Sequence, residues 1–510
     1  VMLVDGDRLR CEDDLDLFAA MAMRHPWVAG ILLDAVGSWR DRLRRRVLNA
    51  TVRWCAGTSV RDIACGVVGM RRELWKRVVD QPTPGTIGDH PDSALTLRIA
   101  RASWTRLAGV RPVNVPLRTG EPLSPHAARS DRNTGPIGIG LLLSLLRFVW
   151  ATRAFPRRDQ EERTDNGSPR IAWNQVGLTL ATVILFGVLM LSGLNFPLVE
   201  PDETRNVQIA IEMAETGDFV LPTRHRDPYL DKPAMLFWTV ATSFRSFGIS
   251  PGTARLPVAL ACWGSLVALI TVGAGRFGAP AGRVGALLLF ACVGFALVGR
   301  FVITDALLTC WITWAALALH RGVGPGGWKQ VWWLVAGIAL GLGVLTKGPV
   351  APVLVFPPFL LWCWLERVLT RRDLLNALWL LVPMIVIPLP WFLSVALREP
   401  AQLEHFFWKH NVMRYAQAFD HQQGWWFYIP VIFAGMFPTS LLLPSAAIYL
   451  MGRIESLRRM RTRNEGYLLL CAAWTIGFFS CSSAKLPTYI LPALPPLSLL
   501  LGRFVVRVLL

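Results

Sequence analysis

From about Asn174 onward, apolar runs of membrane-crossing length follow one another with short polar breaks, and the breaks alternate in kind. The runs predict about ten helical spans, over 174–195, 253–274, 280–299, 302–320, 331–346, 349–366, 374–397, 427–450, 466–482 and 488–509. One set of breaks is rich in arginine: Arg276 with Arg283, Arg321 with Lys329, Arg367 with Arg371 and Arg372, and Arg453 to Arg463. The other set carries Asp202 and Glu203, Tyr229 to Pro233, Arg300 with Asp305, Lys347, His410 with Arg414, and Lys485. Arginine-rich loops stay on the cytoplasmic side, so the groups able to do chemistry are expected together on the extracytoplasmic side. Parity then puts 196–252 and 398–426 outside. These are the two long loops of this part, and long ordered loops commonly carry function.

The first 135 residues are patterned differently. A short apolar strand opens into Asp5-Gly6-Asp7, arginine-dense helix-like stretches follow, and no run is long enough to cross a bilayer. Residues 1–135 therefore read as a partial soluble α/β domain. Residues 136–172 read as an interfacial helix, Ile137 to Trp150, followed by a charged linker, and 173–510 as the multispanning part. The strand-like start at Val1 and the stop at Leu510 beside an apolar run suggest a fragment at both ends.

Composition agrees with a multispanning protein. The 510 residues are 53% hydrophobic with 22 Trp, and the mean hydropathy is +0.40. The net charge of +18 sits largely in short loops between apolar runs, which points to orientation and anionic-lipid contact rather than nucleic acid. The nine cysteines contain no Cys-x-x-Cys pair and imply neither a disulfide framework nor a zinc site.

Each candidate group has two readings at this stage. Asp5 and Asp7 can hold a magnesium or manganese ion against a nucleotide diphosphate, or merely make a turn. Asp202 and Glu203 suit a helix start through its dipole, and equally suit orienting or deprotonating a nucleophile. Pro233 is expected to seat the first turn of a helix over Ala234 to Phe247, which would hold Lys232 at a donor-rich anion site; a lysine snorkelling to the interface is the alternative. Asp305 lies near the bilayer edge, where ionisable residues are usually functional, although an ion pair with Arg300 would also explain it.

Two resemblances follow from longer motifs. Asn49 to Arg53, Gly57, Val60 to Gly66, Met70-Arg71-Arg72 and Gly109 to Arg118 resemble the second half of dolichyl-phosphate-mannose synthase-like family 2 glycosyltransferases, of GT-A type. That resemblance implies Asp5 and Asp7 as metal and nucleotide-sugar ligands. Because the nucleotide-binding half that should precede Asp5 is absent, the piece is expected to be inactive as it stands.

The second resemblance covers about 174 to 510. Asp202-Glu203-x-Arg205, Gly217 to Pro222, Tyr229-x-Asp231-Lys232-Pro233, Ala254-Arg255-Leu256-Pro257, Leu345 to Pro349, Phe407 to Asn411 with Arg414, and Lys485 to Pro492 follow in order the pattern of the lipid A aminoarabinose transferases. These belong to the polyprenyl-phosphate-sugar-dependent, GT-C type membrane glycosyltransferases, which include the protein mannosyltransferases. The resemblance implies a polytopic helical fold, a polyprenyl (undecaprenyl) phosphate sugar donor, and lipid A or a similar envelope acceptor at the plasma membrane. It implies Asp202 with Asp305 and Glu203 as reacting carboxylates. Lys232, Arg414, Lys347, Lys485 and Arg205 become phosphate or substrate contacts, with Tyr229 and Tyr489 lining the site. A metal near Asp231, with His410 as a second ligand, is also implied. The competing functions are a protein O-mannosyltransferase and a transporter, the latter expected to place its charges at the bilayer midplane within repeats.

Overall fold

In the computed structural model the described residues are four strands among the first 117 positions and then 173–509, apart from 200, 230, 324–328, 401–405, 407–421, 453–456 and 458–459. The chain divides into two units, Val1–Pro156 and Arg157–Leu510. The first contains a four-stranded mixed sheet of β1 (Met2–Val4), β2 (Trp27–Leu32), β3 (Val67–Met70) and β4 (Val113–Leu117), in the order β1-β3-β2-β4. β3 runs antiparallel to both neighbours, and β2 pairs in parallel with β4 from Val28↔Val113 to Leu32↔Leu117. Asp5, Asp7 and the expected interfacial helix and linker lie outside the described residues.

The second unit is a polytopic helical membrane bundle. Each of the ten expected spans falls on a helix or a broken pair of helices. Among the described residues, four helical stretches are individually long and apolar enough to cross a membrane: Pro251–Phe277, Lys329–Lys347, Arg371–Arg398 and Pro487–Leu509. The helices Tyr428–Gly435 and Thr439–Met451 would add a fifth as one span bent by 111°. Several others are short, such as Ala279–Ala291 and Val350–Glu366, and Thr304–Gly322 mixes Asp305, Thr309, Thr313, His320 and Arg321 into its apolar run.

Local sequence explains the helix limits. Ser250 with Thr253, Thr370 with Asp373, and Thr462 with Glu465 form capping boxes that satisfy free N–H groups at three helix starts. The Lys329–Lys347 helix ends at Gly348, whose φ of 68° is open to glycine at no steric cost. In the same helix Gly337 and Gly341 lie one turn apart against Leu380, Pro383 and Ile387; a Cβ on Gly341 would sit 2.9 Å from the Pro383 carbonyl oxygen. Small residues at this spacing let two membrane helices approach closely and fix the rotation of each.

That rotation matters because long helices connect the two ends of the bundle. Thr304–Gly322 carries Asp305 in its first turn and His320 and Arg321 in its last. Nineteen residues rise about 28 Å, close to the hydrocarbon thickness of a bilayer. Lys347 ends the neighbouring helix, which starts at Lys329. Hence Asp305 and Lys347 share one end, and arginines gather at the other.

Candidate active site

The site is built on the 196–252 loop. Its helix begins at Asp202, with Asp202 and Glu203 in the first turn as the helix dipole favours. Gly217, at φ 73°, ends it. A two-residue hairpin follows, β5 (Thr223–Arg224) antiparallel to β6 (Asp227–Pro228). It leads through Tyr229 and Asp231 to Lys232. The next helix starts at Met235 with Ala234 as its cap, so Pro233 precedes the first turn instead of occupying it. Lys232 is thus held by chain entry to the helix rather than within its first turn.

Packing brings this loop to the helix ends. Ala234 and Leu345, each two residues from Lys232 and Lys347, share one buried cluster with Trp391 and Val395. The indole N–H of Trp391 donates to Val220 O at 2.8 Å, and that of Trp238 donates to Phe219 O at 2.6 Å. Lys347 Nζ lies 2.6 Å from Asp305 Oδ1, while Thr488 Oγ1 donates to Asp305 Oδ2 at 3.1 Å. Lys347 also stands 4.2 Å from the centre of the Tyr489 ring. Asp305 therefore pairs with Lys347, not with Arg300, whose guanidinium donates to the Ala296 and Leu189 carbonyls.

Electrostatics tie Lys232 to the same place. Burial pushes its ammonium down to about 8; Arg205 and Lys347 act in the same direction, while Asp305 and Asp202 oppose them. Tyr229 is pushed up to about 12 by burial and then by Asp231, so it stays a phenol at neutral pH. Arg205 pairs with Asp202 one helical turn away. Asp202, Arg205, Tyr229, Asp231, Lys232, Asp305, Lys347 and Tyr489 accordingly form one neighbourhood.

Two expected residues stand apart from it. Glu203 is 2% exposed and receives Arg255 Nε and Nη2 at 2.8 and 2.7 Å, together with the backbone N–H of Val199 and Val302. Arg255 in turn donates to Leu194, Phe196 and Pro197 carbonyls and lies over the Phe196 ring. Every oxygen of Glu203 is thus occupied in holding the 194–203 segment to the bundle. Lys485 is buried and donates to the backbone carbonyls of Gln423, at 2.9 Å, and Ser482, where it ties the second long loop to the chain before Pro487. An arginine within an apolar helix, as in Ala254-Arg255-Leu256-Pro257, was the available signal that a buried carboxylate must face it. Thr488, by contrast, gave no sign beyond its place beside Tyr489.

Arg414 and His410 lie outside the described residues. Among those described, no group of three His, Cys, Asp or Glu is placed to hold a metal ion. What remains is a partly buried, cation-rich cluster with carboxylates beside it. Such a cluster can bind a phosphate, stabilise charge developing on it, and orient a polar partner.

Residues 231–397 match the family model described as dolichyl-phosphate-mannose-protein mannosyltransferase. The chain is 32% identical over 349 residues to an undecaprenyl phosphate-alpha-4-amino-4-deoxy-L-arabinose arabinosyl transferase of Pseudomonas fluorescens, covering 66% of this chain and 58% of the relative. It is 34% identical over 340 residues to the enzyme of that name from Pseudomonas aeruginosa, covering 64% and 59%. The crystal structure of ArnT from Cupriavidus metallidurans bound to undecaprenyl phosphate superposes with a TM-score of 0.58 at 25% identity, over 66% of this chain and 61% of that one. The chain thus spans about three-fifths of the length of these relatives and shares the GT-C fold.

Proposed function

We propose that this protein is a membrane glycosyltransferase that moves a sugar, aminoarabinose in the first instance, from undecaprenyl phosphate to lipid A or a similar envelope acceptor on the extracytoplasmic face of the plasma membrane. The observation that carries the reading is the Asp305–Lys347 pair, with Lys232, Arg205 and Asp202 within electrostatic reach, at the bundle end opposite Arg321. Similarity to transferases named for an undecaprenyl-phosphate donor supports it.

The acceptor oxygen attacks the anomeric carbon, a new C–O bond forms, and the bond to the phosphate oxygen breaks with its electron pair. Charge grows on the departing phosphate, and Lys232, Lys347 and Arg205 are the cations placed to meet it, with Arg414 assigned to the same role on sequence alone. Asp305 holds Lys347 in place and Tyr489 gives the ammonium an aromatic wall. Asp202, exposed on the first helical turn, takes the acceptor side: it serves as general base for a hydroxyl and as an orienting group for a phosphate. Tyr229, a neutral phenol, donates a hydrogen bond to the sugar or phosphate. The amino-terminal sheet is read as part of a family 2 domain that makes such lipid-linked sugars, on its motifs alone.

The test is single-turnover transfer from labelled undecaprenyl-phosphate sugars to membrane acceptors, comparing the full chain with Asp202→Asn and Lys232→Ala. Label in a lipid A fraction that both substitutions abolish is the expected result. The mannosyltransferase name of the matched family model favours one second reading, transfer to a protein hydroxyl. Label in protein would establish it, and absence of transfer from any donor by folded protein would overturn both.

A further inference from the structure

We infer that Glu212 is a positioning residue for the site: its carboxylate locks the 223–228 hairpin and so sets Tyr229 and Lys232 in place. The inference rests on the glycosyltransferase reading for its kinetic consequence, though its geometry is independent of it.

Glu212 lies on the same helix as Asp202 and Arg205, ten residues further along. Four donors converge on its two oxygens. Oε1 accepts from the His225 backbone N–H at 2.7 Å and from Gln208 Nε2 at 3.3 Å; Oε2 accepts from Thr223 Oγ1 at 2.9 Å and from the Arg226 backbone N–H at 3.1 Å. Burial opposes the charge on Glu212, but the Arg226 and His225 N–H groups outweigh it and hold the carboxyl below its ordinary value. Three of these bonds run from one side chain to one short turn, with Gln208 of the same helix supplying the fourth, and that exceeds what a tolerant surface loop requires.

The turn needs them because its backbone is unfavourable. His225 and Arg226 both have positive φ, 54° and 67°, in a two-residue hairpin. That is the conformation in which Asn-Gly is the usual pair, since side chains with a Cβ are strained there. Strain held by surrounding contacts in a segment adjoining a site is a reason to ask what the segment positions. Here the ladder continues past the hairpin through Tyr229 N–H to Pro222 O at 2.8 Å. The Tyr229 ring then meets Phe237 edge-on with centroids 5.9 Å apart, beside Ile209 and Met213 of the Glu212 helix. Lys232 follows three residues later, within electrostatic reach of Arg205, Asp305, Lys347 and Asp202. The helix that presents Asp202 to one side of the site therefore also fixes, through Glu212, where the Tyr229–Lys232 segment arrives.

The test uses the full chain with Glu212→Gln, and the same substitution combined with His225→Asn and Arg226→Gly, which favour the turn without a carboxylate. The pH profile of Lys232 acylation by acetic anhydride is read by peptide mass spectrometry, alongside KM and kcat for the lipid-linked sugar. Glu212→Gln is expected to move the Lys232 midpoint upward from about 8 toward an ordinary lysine. It is also expected to raise KM by about tenfold with a smaller change in kcat, as misplacement of a binding group does. The turn substitutions should restore both. An unchanged Lys232 profile in Glu212→Gln, or a folded triple variant that restores neither quantity, overturns the inference. Because acylation needs no donor, it decides the matter even if no sugar is transferred. Should Glu212→Gln fail to accumulate, recovery by the turn substitutions supports the lock, and continued failure assigns Glu212 to general folding and overturns it.

Discussion

The two ends of the helical bundle both carry charged side chains and use them differently. At the arginine end the charges are spent on the fold. Arg503 donates to Phe277 O at 2.6 Å and pairs with the buried Glu465; Arg507 and Arg461 donate to Met460 O and Gly452 O at 2.5 Å; Arg276 reaches the Arg321 and Val323 carbonyls; Arg463 pairs with Glu366 at 2.9 Å. These acceptors lie largely at helix ends, where backbone carbonyls are unsatisfied and the dipole is negative, so arginine completes the helices there. At the other end the Asp305–Lys347 pair is accessible from one side, and Lys232 makes no ion pair among the described residues. Charge that closes a helix is inert, and charge left with unused hydrogen-bonding capacity is available to a ligand.

Breaking the arginine end should therefore cost stability and leave chemistry alone. Glu465 is fully buried, receives Thr462 N–H and the Tyr449 hydroxyl, and faces Arg503 and Arg507. Glu465→Ala strands two cations in low dielectric and is expected to destabilise by about 3–5 kcal/mol, as removal of one member of a buried pair does. Thermal unfolding in detergent measures the loss, while kcat per folded molecule should remain within twofold or so of wild type. A large fall in kcat with unchanged melting would show that this end takes part in catalysis.

At Lys347 chemistry should be lost as well. Its side chain is 20% exposed and that of Asp305 10%, and Lys347→Met leaves the buried Asp305 its bond from Thr488. Transfer per folded molecule should fall by about 10²–10³-fold, the usual effect of removing a group that stabilises developing charge, in addition to the stability lost by leaving Asp305 without its cation. A loss confined to KM would place Lys347 in ground-state binding instead.

Lys232 sharpens the contrast through pH. Its ammonium is charged below about 8 and neutral above, so kcat/KM, which reports the free enzyme, should fall about tenfold per unit as pH rises past that value. A bound phosphate favours the charged form, and the limb in kcat should therefore appear at higher pH. Lys232→Arg, always charged, should remove the limb. A limb that survives the substitution belongs to another group.

Much of this organisation is legible in the sequence, and what is not legible has a common cause. Periodicity located the helices, because apolar length is a property of neighbouring residues. Asp202, Lys232, Asp305 and Lys347 stood out because an ionisable residue beside an apolar run must have a reason to be there. Pairing was not legible. Asp305 meets Lys347 across 42 positions, and Glu203 meets Arg255 across 52. Adjacency offered Arg300 as the alternative partner of Asp305 and left Glu203 free to react, because which helix packs beside which is not written in neighbouring residues. Lys485 misled in the same way: a lysine in a loop motif reads as a ligand contact until the carbonyls of Gln423 and Ser482 are seen to occupy it.

The smallest expected effect lies between the two classes. Asp218 begins the loop that carries the hairpin, and Arg398 Nη1 donates to both of its oxygens at 3.0 and 2.8 Å. The geometry resembles the structural pairs of the arginine end, but the side chains are 53% and 41% exposed, so water and salt screen the attraction. Exposed pairs of this kind contribute about 0–1 kcal/mol. The loop also keeps its Trp238 and Trp391 bonds to the Phe219 and Val220 carbonyls, and Asp218 Oδ1 still accepts from Val220 N–H when Arg398 is removed. Arg398→Ala is accordingly expected to change transfer by less than about twofold, and a double-mutant cycle with Asp218→Asn to give a coupling below about 1 kcal/mol that fades with salt. A coupling several times larger and insensitive to salt would mean that Arg398, although exposed, restrains the 217–232 segment as Glu212 does, and that exposure alone does not separate charges serving the fold from those serving the site.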